Sequence, residues 1–389
     1  MHKPLFSFEK KMEDTEMENS KTKRYLSKLF KKSGVTINGN KPWDIQVRND
    51  NTYKRLIYEG TLGAGESYMD EWWECKALDQ FIAKILSNNI EKYVKGNWKL
   101  FYHAIKSRVF NLQNIRRAFT IGREHYDIGN DLYTAMLGKK MLYSCGYWKD
   151  TNNLDDAQEA KLDLICRKIN LEPGMSLLEF GCGFGYFAKF AAEKYGVKVT
   201  GLTVSEEQLK LGRELCRGLP VELKLDDYRN ISGTYDRVIS IGMLEHVGYK
   251  NYRTYMECVD QNLKDDGIAF IQTIGANKST TTVNEWTSKF IFPNSMIPSI
   301  SQIGQAMEEL FVMEDWHNLG EHYDKTLMAW FENFESAWPK LKKQYDNRFY
   351  RMWKYYLLSC AGAFRSRNLQ AWQIVMRKPS NKQPYYRVT

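Results

Sequence analysis

The chain predicts an α/β fold, a doubly wound, mostly parallel sheet, with a small, mainly helical N-terminal domain. Strand-like and helical segments alternate between residues 176 and 274, and that alternation requires crossover helices and a parallel sheet. The first of these strands, Ser176 to Phe180, runs into a G-x-G-x-G turn at Gly181, Gly183 and Gly185, followed by a helical pattern. Glycines there allow positive φ and close backbone approach to a ligand, although a glycine turn alone is a weak signal. A length of 389 residues suits a large domain with a smaller accessory one.

Residues 1–30 alternate in charge and read as a partly disordered lead-in or a loose helix. Residues 31–120 read as small and helical, with Gly60 to Trp73 forming a tight turn packed on an aromatic cluster. From about Arg123 a helical entry leads to five strands: Ser176 to Phe180, Val197 to Thr203, Leu223 to Tyr228, Tyr235 to Met243 and Gly267 to Ile274. Trp286 to Pro298 reads as loop and short helix, with Pro293 and Pro298 bracketing a segment suited to a mobile cover. Residues 300–310 and 324–367 read as helices, and Leu369 to Arg377 as the last strand.

Of the net charge of +9, +8 lies in residues 1–120, which hold 22 Lys and Arg against 14 Asp and Glu. Residues 92–123 carry eight basic residues and no acidic one, interleaved with aromatics such as Tyr93, Trp98 and Phe101. That composition suits an anionic lipid surface, a nucleic-acid backbone or a merely solvated face. No run of about 20 apolar residues and no export signal is evident, so the chain is expected neither to span a membrane nor to be exported. The seven cysteines are scattered without a C-x-x-C, which predicts reduced thiols and no zinc.

Ligands of doubly wound sheets bind at the carboxyl ends of the strands. Glu179, directly before the glycine turn, suits the amino-acid part of S-adenosylmethionine better than a phosphate, because it leaves no room for an anion. About 20 residues on, the usual acidic ribose contact is replaced by Thr203, with Ser205 and Gln208 opening the next helix. Asp226 and Asp227 fall at a plausible adenine edge. No Asn/Asp-Pro-Pro-aromatic motif follows the fourth strand, so methylation of an amino nitrogen loses support. Glu245, Cys145 and Tyr323 instead offer a carboxylate, a thiol and a phenol, with Gln272 and Ile274 ending the fifth strand. His246 reads as a capping or packing residue, and His317 and His322 as surface residues. Cys360, in an apolar helical run, reads as a core thiol more readily than as a nucleophile.

The chain resembles the bacterial cyclopropane-fatty-acyl-phospholipid synthases, a branch of the S-adenosylmethionine-dependent mycolic acid and cyclopropane synthases, over nearly its whole length. The resemblance rests on Gly65 to Cys75, His125 to Asp131, Tyr143 to Trp148, Gly242 to Gly248, Phe290 to Pro293 and Cys360 to Arg365. It implies a seven-stranded, Rossmann-like class I methyltransferase domain over 124–389. It also implies a phospholipid-binding and dimerisation domain over 1–123. The implied reaction moves the methyl of S-adenosylmethionine to the cis double bond of a phospholipid acyl chain and closes a cyclopropane ring, with bound bicarbonate as the base. The implied catalytic residues are Cys145, Glu245, Gln272, Ile274, Tyr323 and Cys360. The implied cofactor contacts are Tyr143, Ser144, Glu179, Gly181, Cys182, Gly183, Gly185, Thr203, Gln208, Asp227 and Tyr228. The family usually has histidine where this chain has Gln272, whose amide donates a hydrogen bond but accepts no proton at neutral pH; a positioning role is expected. The resemblance further implies a homodimer on the inner face of the cell membrane, in the cytoplasm, without nucleic acid. A methyl-branching outcome on the same alkene and an RNA methyltransferase are the alternatives.

Overall fold

A computed structural model describes residues 20–89, 130–282 and 284–388, so the basic run at 92–123 lies outside the described residues. The chain forms two compact units. One holds 20–89 together with Asn284–Ile291 and Lys342–Asn368; the other holds 130–282, Phe292–Leu341 and Leu369 onward.

The second unit is built on a seven-stranded sheet of order β5-β4-β3-β6-β7-β9-β8. Its strands are β3 (Ser176–Phe180), β4 (Lys198–Thr203), β5 (Val221–Leu225), β6 (Tyr235–Ile241), β7 (Leu263–Ala276), β8 (Val312–Asn318) and β9 (Leu369–Arg377). β3 to β7 run parallel, and β9 is antiparallel to both neighbours. The chain starts in the middle at β3, winds outward to β5, and returns to β6 on the other side of β3. That reversal puts a topological switch point at the carboxyl ends of β3 and β6, where open α/β sheets take their ligands in a crevice. Two apolar clusters fill the sheet's faces, one around Phe180, Tyr255 and Ile374, the other around Ile165, Leu177 and Phe270.

β8 is the strand that the sequence reading passed over. Its Val-Met-Glu-Asp-Trp-His-Asn run is too polar to read as buried, yet Asp315 is buried because the fully buried Lys168 pairs with it at 2.7 Å. β5 ends at Leu225, so Asp226 to Tyr228 lie in the following loop. The expected single helix over 324–367 is two, Gly320–Leu341 and Asn347–Arg365. Asp346 starts the second by accepting from the Phe349 N–H at 2.7 Å, an N-cap that a polar lysine-rich stretch conceals.

In the first unit a helix covers 20–32, burying Leu26, Leu29 and Phe30. Helices Asn51–Tyr58, Gly60–Met69 and Leu78–Ser87 follow, with a two-stranded ribbon of β1 (Gln46–Val47) and β2 (Trp73–Glu74). The expected turn at Gly60 to Trp73 is mostly helix; a Cβ on Gly65 would collide with the Trp286 indole, so that glycine serves packing. The expected boundary between 123 and 124 lies outside the described residues. Asn284–Ile291 and Lys342–Asn368, expected in the catalytic domain, belong instead to this unit. Helix Asn347–Arg365 is amphipathic and buries Trp353, Tyr355 and Tyr356 there. Arg351 donates to the Tyr68 carbonyl at 2.7 Å, and Arg365 pairs with Asp79. Among the described residues no helix is long and apolar enough to cross a membrane.

Candidate active site

The glycine turn closes β3 onto helix Tyr186–Tyr195. Gly181, Gly183 and Gly185 have φ of 75°, 53° and 78°, the left-handed region that disfavours side chains. The turn is anchored by the Cys182 N–H donating to Leu202 O at 2.8 Å. Cys182 is buried beside Gly201, and burial holds its thiol well above the usual range.

Glu179 is 2% exposed, its Oε2 has no hydrogen-bond partner, and burial pushes its carboxyl up to about 8 against the opposing pull of Lys161. The same Lys161 holds Ser144, whose hydroxyl accepts from Nζ at 3.0 Å and whose carbonyl accepts from Gln158 Nε2 at 2.9 Å. Tyr143 packs on Tyr133, Phe292 and Trp330 at centroid distances of 5.4, 6.0 and 5.2 Å. At the end of β4, Thr203 donates to Gln208 Oε1 at 2.8 Å and so fixes that amide. Both Asp227 oxygens are held by Arg229, at 2.6 and 2.7 Å, and Tyr228 is a core aromatic against Phe180 and Tyr255. The expected adenine edge thus also carries contacts within the protein.

Glu245, Ile274, Cys145 and the backbone of Tyr323 are linked near the carboxyl end of β7 by hydrogen bonds and one sheet pairing. Glu245 sits in the short helix Leu244–Val247 after β6 and accepts from the Ile274 N–H at 2.6 Å. The Ile274 amide is therefore occupied by Glu245 itself. Ile274 pairs across the sheet with Ala371 of β9, whose carbonyl accepts from the Leu319 N–H at 2.6 Å. Leu319 O in turn accepts from the Cys145 thiol at 3.6 Å and from the Tyr323 N–H at 3.1 Å. Cys145 is buried, which raises its thiol, and the adjoining loop hangs on Thr326: Gly146 N–H and Trp148 Nε1 both donate to its hydroxyl, at 3.0 and 2.9 Å. Burial pushes the Glu245 carboxyl up to about 7, with the Ile274 bond opposing, and its Oε2 lacks a partner. Gln272 pairs with Gln373, whose Nε2 donates to Gln272 Oε1 at 3.0 Å.

Aromatic rings surround this network. His246 meets Phe292 edge-on at 5.9 Å, and Tyr323 meets Trp330 at 6.0 Å. Burial lowers His246 to about 4, so its ring is neutral at physiological pH. His322 is half-buried rather than superficial, its Nδ1 accepting from the Trp148 N–H at 2.8 Å; His317 is also half-buried, 3.1 Å from Lys168. The segment between Pro293 and Pro298 is tied down, Met296 N–H donating to Glu245 O at 2.7 Å and Tyr252 hydroxyl to Met296 O at 3.2 Å. Cys360 lies on helix Asn347–Arg365 of the first unit, outside this network; burial raises its thiol to about 12.

A family model described as mycolic acid cyclopropane synthetase matches residues 113–374. The chain belongs to that family. It is 50% identical over 355 residues to the cyclopropane-fatty-acyl-phospholipid synthase of Escherichia coli, covering 91% of this chain and 93% of that one. It is 31% identical to a tuberculostearic acid methyltransferase of Mycobacterium tuberculosis, over 84% and 81% of the two chains. A crystal structure of a mycolic acid cyclopropane synthase complexed with SAH and CTAB superposes with TM-score 0.62 at 28% identity, over 67% of this chain and 98% of that one. The chain is an S-adenosylmethionine-dependent lipid methyltransferase of the cyclopropane synthase kind, and its sheet is that of the class I enzymes.

The residues that sequence reading missed share one trait: they are polar side chains on buried faces. Gln158, Lys161 and Lys168 occupy the inner stripe of helix Leu154–Lys168 beside Leu154, Ala157 and Ile165. Lysines recurring at apolar positions of a helix are the signal that could have found them, because buried lysine is rare without a partner.

Proposed function

We propose that this enzyme transfers the methyl of S-adenosylmethionine to the cis double bond of an unsaturated acyl chain in a membrane phospholipid and closes a cyclopropane ring. The observation that carries the reading is Glu245, a buried carboxylate with one oxygen bonded to Ile274 and the other unpartnered, set among aromatic side chains. The alkene's electron pair takes the methyl carbon, the sulfur leaves with its own pair, and loss of a methyl proton closes the ring. Such a cationic path needs no activated nucleophile but does need water excluded and a weak base at hand. Tyr143, Tyr323, Trp330 and Phe292 would line the acyl channel and face a passing cation with their rings.

Bicarbonate fits the same residues. It would supply the base, and Glu245 Oε2, a buried acceptor lacking a donor, suits its hydroxyl. Gln272, fixed by Gln373, would position the anion without taking a proton. The basic aromatic run of residues 92–123 supports docking on an anionic bilayer from the cytoplasmic side, and homodimerisation and the absence of a nucleic-acid partner follow from the family resemblance.

The test is mass spectrometry of unsaturated phospholipid vesicles incubated with enzyme, S-adenosylmethionine and bicarbonate. A gain of one methylene, about 14 mass units, that survives mild hydrogenation of the remaining alkenes is the expected product. A methyl-branched product, its cation reduced or hydrated instead of closed, would be heavier than the cyclopropane by two hydrogens or by one water. No gain despite cofactor binding would move the acceptor elsewhere and reopen RNA.

A further inference from the structure

Lys161 is fully buried, and neither the reaction outlined above nor any family motif uses it. Its ammonium has three hydrogens to place and no lone pair; it donates to Ser144 Oγ at 3.0 Å and attracts the Glu179 carboxylate. One turn earlier Gln158 holds the Ser144 carbonyl at 2.9 Å and reaches Leu142 O at 3.5 Å. The helix Leu154–Lys168 thus grips both the backbone and the side chain of Ser144.

Two consequences follow for hydrogen bonding. A hydroxyl that accepts from an ammonium must point its own hydrogen elsewhere, and it becomes a stronger donor for being polarised. Glu179, meanwhile, keeps a buried oxygen with no donor. A polarised hydroxyl donor and a carboxyl with one unpartnered oxygen, both tied to Lys161, complement an α-amino acid: its carboxylate accepts from Ser144 and its ammonium donates to Glu179.

We infer that Lys161 is a positioning residue for the amino-acid end of the methyl donor: it aims the Ser144 hydroxyl into the site and supplies the counter-charge behind Glu179, without touching the ligand. The inference rests on the reading of this crevice as the S-adenosylmethionine site.

The experiment is calorimetric titration of the full chain with S-adenosylhomocysteine and with 5′-methylthioadenosine, which keeps the nucleoside and thioether but lacks the amino-acid end. K161M should weaken S-adenosylhomocysteine at least tenfold and leave methylthioadenosine within twofold. S144A should do the same, and K161M should cost less in the S144A background than in wild type, because part of its effect passes through that hydroxyl. Unchanged affinity for both ligands, or equal losses of both, would overturn the inference. If K161M fails to fold, K161Q decides: a selective loss of S-adenosylhomocysteine is expected, and unchanged affinity or equal loss of both ligands again overturns the inference. Wild-type protein that binds neither ligand would instead bring down the cofactor-site reading itself.

Discussion

Replacing Glu245 by glutamine separates its chemistry from its cost to the fold. The amide keeps the acceptor for the Ile274 N–H and exchanges the unpartnered oxygen for an uncharged NH2. In the fold, burial raises the carboxyl to about 7 from its ordinary 4.5. The sign follows from proton uptake: between these two values the folded chain binds the proton and the unfolded chain does not. The native state therefore loses stability as pH rises through that window, and the loss is complete above 7. At about 1.36 kcal/mol per unit of pKa difference, wild type should lose about 2 to 3 kcal/mol relative to Glu245→Gln between pH 5 and pH 8. The constant cost of an unpartnered NH2 cancels from that pH-dependent difference. Activity should move the other way, falling about 10- to 100-fold, because a hydrogen bond to a charged acceptor is worth about 1.5 to 3 kcal/mol. The acidic fall in kcat/KM near pH 7 should also vanish. Urea unfolding of both proteins at pH 5, 6, 7 and 8, beside vesicle turnover, checks both halves. Parallel stability curves differing by under 1 kcal/mol across that range would show that Glu245 titrates as an ordinary carboxyl and would refute the reasoning.

Lys168→Met leaves the buried Asp315 with the half-exposed Arg387 at 3.0 Å as its cationic partner among the described residues, and should cost about 3 kcal/mol in chemical denaturation; Lys168→Met with Asp315→Leu should recover most of it. Gln272→His should change kcat less than tenfold, since Gln373 already fixes this position, and a gain of a hundredfold or more would make residue 272 a proton acceptor. Gly65→Ala drives a methyl into the Trp286 ring, and overpacking of this kind costs about 1 to 3 kcal/mol, read as earlier proteolysis of the first unit in a heating series.

The strands, the glycine turn and the acidic residue before it were legible in the chain, because apolar runs, glycine and the alternation of helix with strand are local properties. Glu179, Gly181, Gly183, Gly185 and Glu245 could be named as candidates for the same reason: motifs are contiguous. Local reading failed where a residue's partner lies far along the chain. β8 reads as polar until Lys168, 147 residues away, neutralises Asp315. The grouping of Asn347–Arg365 with the N-terminal residues is decided by which apolar face covers it, which no local pattern encodes. Composition, turn chemistry and hydrophobic period thus determine the fold class and the place of the site. The charge state of Glu245, the aim of Ser144 and the role of Lys161 belong to the tertiary structure, because burial and distant hydrogen-bond partners set the energies of polar groups.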